Sequence, residues 1–296
     1  MTFRSGFAGV VGRPNAGKST LMNALVGDKV AITSDRPQTT RRPVRGILTT
    51  EKGQLIMVDT PGLHRPRTLL GERLNAVVLE TLADVDVVLF CLPADQKVGP
   101  GDKFIASKLR GLNRPVIAVA TKVDSVSKTR LAAHLIDIDR LGQWEHIVPV
   151  SALSGEQLDV LVDLILEQFP LGPMLYPDAE ITDEPDEVRI AELIREAALE
   201  GVSQELPHSI AVQVEEIVPR DGREDGLADV YIHIFVERPS QKAIVIGRKG
   251  ARLREIKGKT RKQIEVLLGH PVSLDLHVKV AKDWQKDPKF LQRFGF

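Results

Sequence analysis

The feature that most constrains the fold is the stretch from Gly12 to Ser19, with the sequence GRPNAGKS. Its two glycines allow a tight turn and place no Cβ between the backbone N–H groups and an anion. Lys18 supplies a point charge for phosphate oxygens, and the serine offers a hydroxyl to Mg²⁺. The apolar run 7–11 predicts a buried strand before the stretch, and 20–25 predicts a helix after it, whose amino terminus favours an anion. This order predicts a phosphate-binding loop rather than a chance glycine-rich turn.

The composition is that of an ordinary globular protein. The chain has 296 residues, enough for two domains, of which 43% are hydrophobic and 27% charged. The formal net charge is zero, so a nucleic-acid partner would have to recognise local clusters of charge. The single cysteine, Cys91, lies in an apolar run, which predicts a buried thiol in a reducing compartment. The sequence shows neither a signal-peptide core nor an apolar stretch long enough to span a bilayer, so we expect a cytoplasmic protein.

Two segments after this loop could contact a third phosphate. Residues 28–45 are polar and lack a sustained period; a threonine there could close over Mg²⁺ and the γ-phosphate, or the stretch could be a solvated loop without such a role. Segments 44–50 and 54–59 predict a hairpin of two strands. The second strand ends in Asp59, which would hold Mg²⁺ through water beside the phosphate loop, and the Gly62 N–H could reach the γ-phosphate.

Strand and helix patterns then alternate along the chain. The predicted strands are 85–92, 115–120 and 146–150, and the predicted helices are 71–82, 104–112, 131–141 and 158–169. This alternation predicts an α/β domain with a parallel sheet covered by helices on both faces, and with its functional loops at the carboxyl ends of the strands.

Two motifs at strand ends predict selectivity for guanine. The carboxylate of Asp124, at the end of TKVD, can accept hydrogen bonds from both the ring N–H and the exocyclic amine of guanine, a pair that adenine lacks. Lys122 can lie over the base while its ammonium supports the phosphate loop. Ser151 and Ala152 follow the next strand, and the Ala152 N–H can bond the guanine carbonyl.

Together these segments resemble the five nucleotide motifs of translation-factor-type GTPases. The sequences QTTR, ending at Arg41, and DTPGLH, ending at His64, are similar to those of the Era family, bacterial ribosome-assembly GTPases with a C-terminal KH domain among the TrmE-Era-EngA-like P-loop GTPases. The resemblance implies GTP or GDP with Mg²⁺, and it implies Mg²⁺ ligands at Ser19, Thr40 and Asp59. It implies catalytic roles for Lys18, Thr40, Gly62 and Asn15. The nucleotide-binding residues that it implies are Gly12, Asn15, Ala16, Gly17, Lys18, Ser19, Thr20, Asp59, Gly62, Thr121, Lys122, Asp124, Ser151 and Ala152.

Two positions depart from the Ras-like pattern. Leu63 stands where Ras-like GTPases carry a catalytic glutamine; leucine cannot orient a water, so we expect slow intrinsic hydrolysis. Relatives of the family suggest that Asn15 holds a potassium ion where other GTPases use an arginine finger. Thr121 stands where asparagine is commoner, and its hydroxyl should still brace the phosphate loop.

The second half predicts an RNA-binding domain. Predicted elements run helix (188–199), strand (209–218), strand (228–236), helix, Gly247-Arg-Lys-Gly250, helix (253–268), strand (272–280), an order that resembles a type II KH domain. The alternative for the Gly-x-x-Gly stretch is an ordinary turn, and the alternative for the basic helix that follows it is a solvated face without a partner. The tail after residue 283 has no assignment. The residues predicted to contact RNA are Ile244, Ile246, Gly247, Arg248, Lys249, Gly250, Arg252, Arg254 and Lys257.

The sequence therefore predicts a GTPase domain over 1–171, an acidic, proline-rich linker over 172–186 and a KH domain with a tail over 187–296. By resemblance, the protein is a monomeric GTP-hydrolysing switch that binds the 3′ end of 16S rRNA on the 30S ribosomal subunit; contact with the inner face of the membrane stays open. One alternative is an RNA-binding assembly factor with slow, incidental turnover, favoured by Leu63. The other is a small-molecule kinase, against which Asp124 and Ser151 argue.

Overall fold

The structure, a computed structural model, describes residues 3–33, 39–66, 69–200, 209–222 and 225–294. It divides into two compact units between Asp183 and Glu184. The loop predicted over 28–45 includes residues 34–38, which lie outside the described residues. No described helix is long and apolar enough to cross a membrane.

The first unit is a six-stranded sheet flanked by helices on both faces. Its elements are β1 (Arg4–Gly12), α1 (Lys18–Val26), β2 (Val44–Thr49), β3 (Gly53–Asp59), α2 (Leu69–Asp84), β4 (Val87–Pro93), α3 (Pro100–Leu109), β5 (Val116–Thr121), α4 (Lys128–Asp139), β6 (His146–Pro149) and α5 (Leu158–Gln168). The predicted strands and helices are confirmed, with ends that differ by a few residues. For example, α3 begins four residues earlier than predicted because Pro100 occupies its first turn and Asp102 accepts from the Gly99 N–H at 2.8 Å.

The strand order in this sheet is β2-β3-β1-β4-β5-β6, with only β2 antiparallel to its neighbour. Successive residues of each central strand enter opposite cores: Leu89 packs with α1 and α5, while Phe90 packs with α2, α3 and α4. Cys91 is fully buried, as predicted, and burial raises the pKa of its thiol to about 12. Because β1, β3, β4, β5 and β6 are parallel, their carboxyl ends meet at one edge, where the predicted motifs lie.

Much of the segment predicted as a linker packs on the first unit. Gln54, fully buried on β3, accepts from the backbone N–H groups of Leu175 and Tyr176 at 2.8 and 2.9 Å. The Ile47 N–H on β2 donates to Ile181 O at 2.9 Å, and Asp183 pairs with Arg45 at 2.8 Å. The structure thus places residues up to Asp183 with the first unit, since side chains more than 100 residues away satisfy the backbone of a stretch whose composition alone suggests a free linker.

The second unit is a three-stranded sheet with its three longer helices packed on one face. Its elements are α6 (Asp186–Leu199), β7 (Ala211–Pro219), β8 (Ala228–Val236), α7 (Pro239–Ile246), α8 (Ala251–Leu268), β9 (Val272–Val280) and α9 (Pro288–Arg293). The middle strand β8 is antiparallel to β7 and parallel to β9. The core of this unit contains Ile194 of α6, Ile232 of β8, Val245 of α7 and Ile264 of α8. This arrangement confirms the predicted order of elements.

The tail that the sequence left unassigned closes the other face of this sheet. Trp284 is fully buried and donates from Nε1 to Ser209 O at 2.9 Å. Phe294 packs against Phe235 of β8 with ring centroids 4.9 Å apart, and the Arg293 guanidinium lies 5.4 Å from the same ring. Aromatic packing therefore anchors the described part of the tail to the second unit.

Candidate functional site: a phosphate loop with metal and guanine motifs

The phosphate loop connects the end of β1 to the start of α1. Asn15 and Gly17 take left-handed conformations (φ 63° and 85°), and the Ala16 N–H donates to Arg13 O at 3.2 Å. A Cβ on Gly12 would lie 2.8 Å from Cys91 O, so only glycine fits there. No side chain among the described residues caps the amino terminus of α1. Its first N–H groups are therefore directed at a place where an anion can bind.

Lys18 lies inside this loop with its charge largely removed from water. The side chain is buried, and Nζ donates to Arg13 O at 3.2 Å. Burial lowers the pKa of Lys18, and the nearby Asp59 carboxylate partly opposes that shift. A phosphate in the loop would give this ammonium the anionic partner that burial demands.

The three predicted metal ligands converge beside Lys18. Ser19 Oγ lies 2.6 Å and Thr40 Oγ1 3.0 Å from Asp59 Oδ2, and the two hydroxyls are 3.1 Å apart. Burial raises the pKa of Asp59, against the opposing effects of Lys18 and of the two hydroxyl hydrogen bonds. Asp59 Oδ1 is buried and accepts no hydrogen bond from the described residues. Two hydroxyls and a carboxylate with an unused oxygen fit a small hard cation such as Mg²⁺.

The motif after Asp59 is fastened to the phosphate loop. Thr60 Oγ1 donates to Val10 O at 2.6 Å, and the Leu63 N–H donates to Gly12 O at 3.1 Å. A Cβ on Gly62 would lie 2.8 Å from Pro14 N, so this backbone approaches the loop closely. Leu63 is 1% exposed and packs in the core with Val11 and Val78. Its side chain therefore serves packing, which the sequence alone did not reveal.

The guanine motifs meet at the ends of β5 and β6. Thr121 Oγ1 donates to Ala16 O at 2.7 Å, which confirms the predicted brace of the phosphate loop. Ser151 Oγ donates to Asp124 Oδ1 at 2.6 Å and accepts from the Ser154 N–H at 3.1 Å, so one hydroxyl orients the carboxylate and holds the following loop. The Ala152 backbone lies within that loop.

Lys122 has a partner that the sequence did not predict. Its backbone is left-handed (φ 59°), and Nζ lies 3.4 Å from Asp95 Oδ2. The structure thus places the ammonium at a carboxylate rather than at the phosphate loop. Both side chains are over a third exposed, so the pair is weak and leaves Lys122 able to move over a base.

Two further residues hold the site, and sequence reasoning missed both. Asn23 on α1 accepts from the N–H groups of Val30 and Ala31 and donates to Ala31 O at 2.7 Å, which anchors the start of the loop leading to Thr40. Arg13 pairs with the buried Asp102 at 2.7 Å. An asparagine inside a helix is unfavourable without such a role, so Asn23 carried a signal that could have been used.

The second predicted site is the Gly-x-x-Gly loop of the second unit. Gly247 and Gly250 have φ of 72° and 75°, and Lys249 between them has φ of 50°. Ile244 is 52% exposed beside the loop, whereas Ile246 packs partly into the core. This presents one apolar side chain and a backbone that a nucleic acid can approach.

The basic residues around this loop divide into two groups. Arg252 donates to Ala198 O at 3.2 Å and to Glu200 O, and these two bonds cap the carboxyl end of α6. Arg254 donates to Lys249 O at 2.9 Å. By contrast, Arg248, Lys249 and Lys257 make no side-chain hydrogen bond or ion pair with other described residues. These three are the cations most available to phosphates, whereas Arg252 has a structural role that was not predicted.

Comparison with known proteins gives two family models and full-length relatives. Residues 7–122 match the model of the 50S ribosome-binding GTPases, and residues 205–285 match that of the KH domain. The chain is 62% identical to the GTPase Era of Streptomyces coelicolor, over 99% of this chain and 95% of that protein. It is 59% identical to the GTPase Era of Mycolicibacterium smegmatis, with 99% of both chains covered.

Two solved structures share the fold over 99% of each chain at 38% identity. One is Era in complex with MgGDPNP and nucleotides 1506–1542 of 16S ribosomal RNA, with a TM-score of 0.95. The other is a variant of Aquifex aeolicus Era bound to GDP and AlF4⁻, with a TM-score of 0.94.

Proposed function

The chain belongs to the Era family of GTPases, and from this premise we propose that it is a Mg²⁺-dependent switch that hydrolyses GTP and binds the 3′ end of 16S rRNA during assembly of the 30S subunit. The observation that carries the nucleotide half is the convergence of Ser19, Thr40 and Asp59 beside Lys18, with one Asp59 oxygen that accepts no bond from the described residues. Family membership also argues against the small-molecule kinase alternative.

The geometry supports catalysis by positioning and charge. The loop N–H groups and Lys18 hold the β- and γ-phosphates, and the Gly62 N–H contacts the γ-phosphate when water attacks it. Ser19, Thr40 and Asp59 would hold Mg²⁺, which would neutralise charge on the phosphate oxygens. Because the Leu63 side chain is buried in the core, it cannot orient the attacking water, and turnover without a partner should be slow.

Asn15 is the residue we propose for a potassium ion near the transferred phosphate. It stands on the left-handed turn of the phosphate loop, and its side chain is exposed. A cation there would stabilise charge that develops between the β- and γ-phosphates. Equal turnover in KCl and NaCl would refute this role.

The RNA half rests on the Gly-x-x-Gly loop and on the cations beside it that have no partner among the described residues. We expect Arg248, Lys249 and Lys257 to contact phosphates and Ile244 to contact a base. Ile246, Gly247, Gly250 and Arg254 would shape the loop, and Arg252 would act through its bonds to α6. For this assembly role we propose a monomer in the cytoplasm.

The test is GTP turnover with and without an RNA that matches the 3′ end of 16S rRNA. The substitution Gly247→Asp should abolish stimulation, but a Cβ there would lie 2.8 Å from the Arg252 Cβ, so the variant could fail by misfolding. The double variant Arg248→Glu, Lys249→Glu avoids this problem because both side chains are exposed and unpaired among the described residues. Stimulation that the double variant loses, with unchanged basal turnover, supports one coupled switch.

The second candidate is an assembly factor whose turnover is incidental, favoured by the burial of Leu63. Tight RNA binding without any stimulation of turnover would favour it over the coupled switch.

A further inference from the structure

An open cavity of about 580 Å³ lies at the edge of the first sheet opposite the nucleotide site. It is lined by the carboxyl ends of α3 and α4 and by the residues that lead into β5 and β6. The motifs of the phosphate loop and guanine site all stand at the other ends of these strands. The cavity is therefore separate from the nucleotide, and its volume is in the range of ligand sites, about 300–1,000 Å³.

Three arginines on the wall of this cavity, Arg110, Arg114 and Arg140, outnumber its one acid, Glu145, and give it a net positive charge. Arg110 donates to Leu141 O and Arg114 to Ala83 O, each at 3.0 Å, so a backbone carbonyl holds each guanidinium, and the described residues accept no bond from the rest of its N–H fork. None of the three pairs with a carboxylate of the described residues, whereas Arg13 and Arg45 elsewhere in this unit do.

Some of this charge has a structural use, because arginines at helix ends complement the helix dipole. Arg110 and Arg140 occupy the C-cap positions of α3 and α4. That role needs one cation at each helix end, and it explains neither Arg114 nor the cavity between them. Glu145 is the single acid in the lining.

Apart from Gln143, the remaining side chains of the lining are apolar. Leu112, Val116 and Leu141 line the cavity together with Trp144. The Trp144 ring packs against Phe90 at 5.6 Å, and its Nε1 already donates to Ile138 O at 2.9 Å. The tryptophan thus offers an apolar wall and no free donor, which suits an aliphatic side chain better than a polar ligand.

We propose that this cavity is a docking site for an acidic peptide segment of a partner protein, which inserts one aliphatic side chain between flanking carboxylates. The guanidinium forks of Arg110, Arg114 and Arg140 bind the carboxylates, and the half-buried Leu112 and Trp144 contact the apolar side chain. An RNA strand would satisfy the arginines and could stack a base on Trp144, but the aliphatic Leu112 would have no matching group, so RNA is the competing ligand in the test.

The test measures binding of the full-length chain to fluorescein-labelled Asp-Glu-Leu-Asp-Glu by fluorescence anisotropy. Asp-Glu-Gly-Asp-Glu keeps the charge and removes the anchor, and oligouridylate serves as the competing RNA. The variant Arg140→Gln removes one cation that makes no side-chain bond to described residues. Its matched control is Lys128→Gln, the same loss of charge at the exposed amino end of the same helix.

We expect saturable binding of the leucine peptide that Arg140→Gln weakens about threefold to tenfold and Lys128→Gln leaves unchanged, at equal melting temperatures. Nucleotide affinity should not change in either variant. The proposal is overturned if no binding saturates below about 1 mM, if the glycine peptide binds equally well, or if oligouridylate binds in a way that depends on Arg140.

Discussion

The hydrogen bond from Ser151 to Asp124 makes a specific prediction about guanine recognition. Ser151 is fully buried, and its hydroxyl lies 2.6 Å from Asp124 Oδ1 and 3.1 Å from the Ser154 N. The substitution Ser151→Ala removes both bonds without adding bulk. The carboxylate then loses the group that fixes its orientation toward the base.

The magnitude follows from the exposure of the partner. A hydrogen bond to a charged group is worth about 1.5–3 kcal/mol, but Asp124 is exposed, so water replaces part of this bond in the free protein. We therefore expect a loss of about 1–2 kcal/mol in GDP binding, or about 5–30-fold in Kd. IDP lacks the exocyclic amine and makes one bond fewer to the carboxylate, so its loss should be smaller.

The assay is calorimetric titration of GDP, IDP and ADP into the wild-type and variant proteins. The control is Ser125→Ala, which removes a neighbouring hydroxyl that donates to Lys122 O at 2.7 Å and does not touch Asp124. A variant that binds GDP within about twofold of wild type would refute the reasoning. Equal losses for GDP and IDP would show that the loop had moved as a whole.

Other parts of the molecule allow predictions about stability. Gln54→Leu should lower the free energy of unfolding of the first unit by about 2–4 kcal/mol, because the amide makes four hydrogen bonds. Denaturant unfolding measures this loss, with Gln143→Leu at an exposed position of the same unit as the control. Trp284→Ala should cost the second unit about 3–5 kcal/mol, visible as a lower melting transition in calorimetry. The hydrogen bond with His233 lowers the pKa of Glu215 in the folded protein. The ionised Glu215 carboxylate therefore stabilises the fold above its unfolded pKa of about 4.3. This stabilisation is lost as the pH falls through the lower pKa that Glu215 has in the folded protein. Unfolding of wild type and Glu215→Gln compared from neutral to acidic pH should converge at the acid end.

The sequence predicts those parts of the fold that depend on local pattern. The phosphate loop, the strand that ends at Asp59 and the Gly-x-x-Gly loop are each specified by residues within a short stretch, and the structure has them at the predicted places. The convergence of Ser19 and Asp59 also follows, because parallel strands bring their carboxyl ends to one edge. Thr40 joins them because it precedes β2, which runs antiparallel to β3 and therefore begins at the same edge.

What the sequence could not give are contacts between distant residues. Nothing near residues 172–183 shows that Gln54 satisfies their backbone, since the pairing spans more than 120 positions. Likewise, Arg252 is one of several basic residues on a helix, and only the fold shows that it caps α6. Leu63 is a further example. The sequence indicates only that a catalytic glutamine is missing at this position, and the fold adds that the leucine side chain is buried and packs in the core.

The electrostatics of the nucleotide site indicate that bound phosphate and a bound cation would stabilise it. Burial lowers the pKa of Lys18 and raises that of Asp59, so the protein environment disfavours the charged form of both side chains. Their mutual attraction offsets this cost only in part, because Asp59 Oδ1 has no described partner and Lys18 Nζ donates to a neutral carbonyl. A phosphate beside Lys18 and a cation beside Asp59 would each supply the missing opposite charge. A loop that holds Thr40 against Asp59 is then stabilised by the same charges that hold the nucleotide, and loss of the γ-phosphate weakens both together.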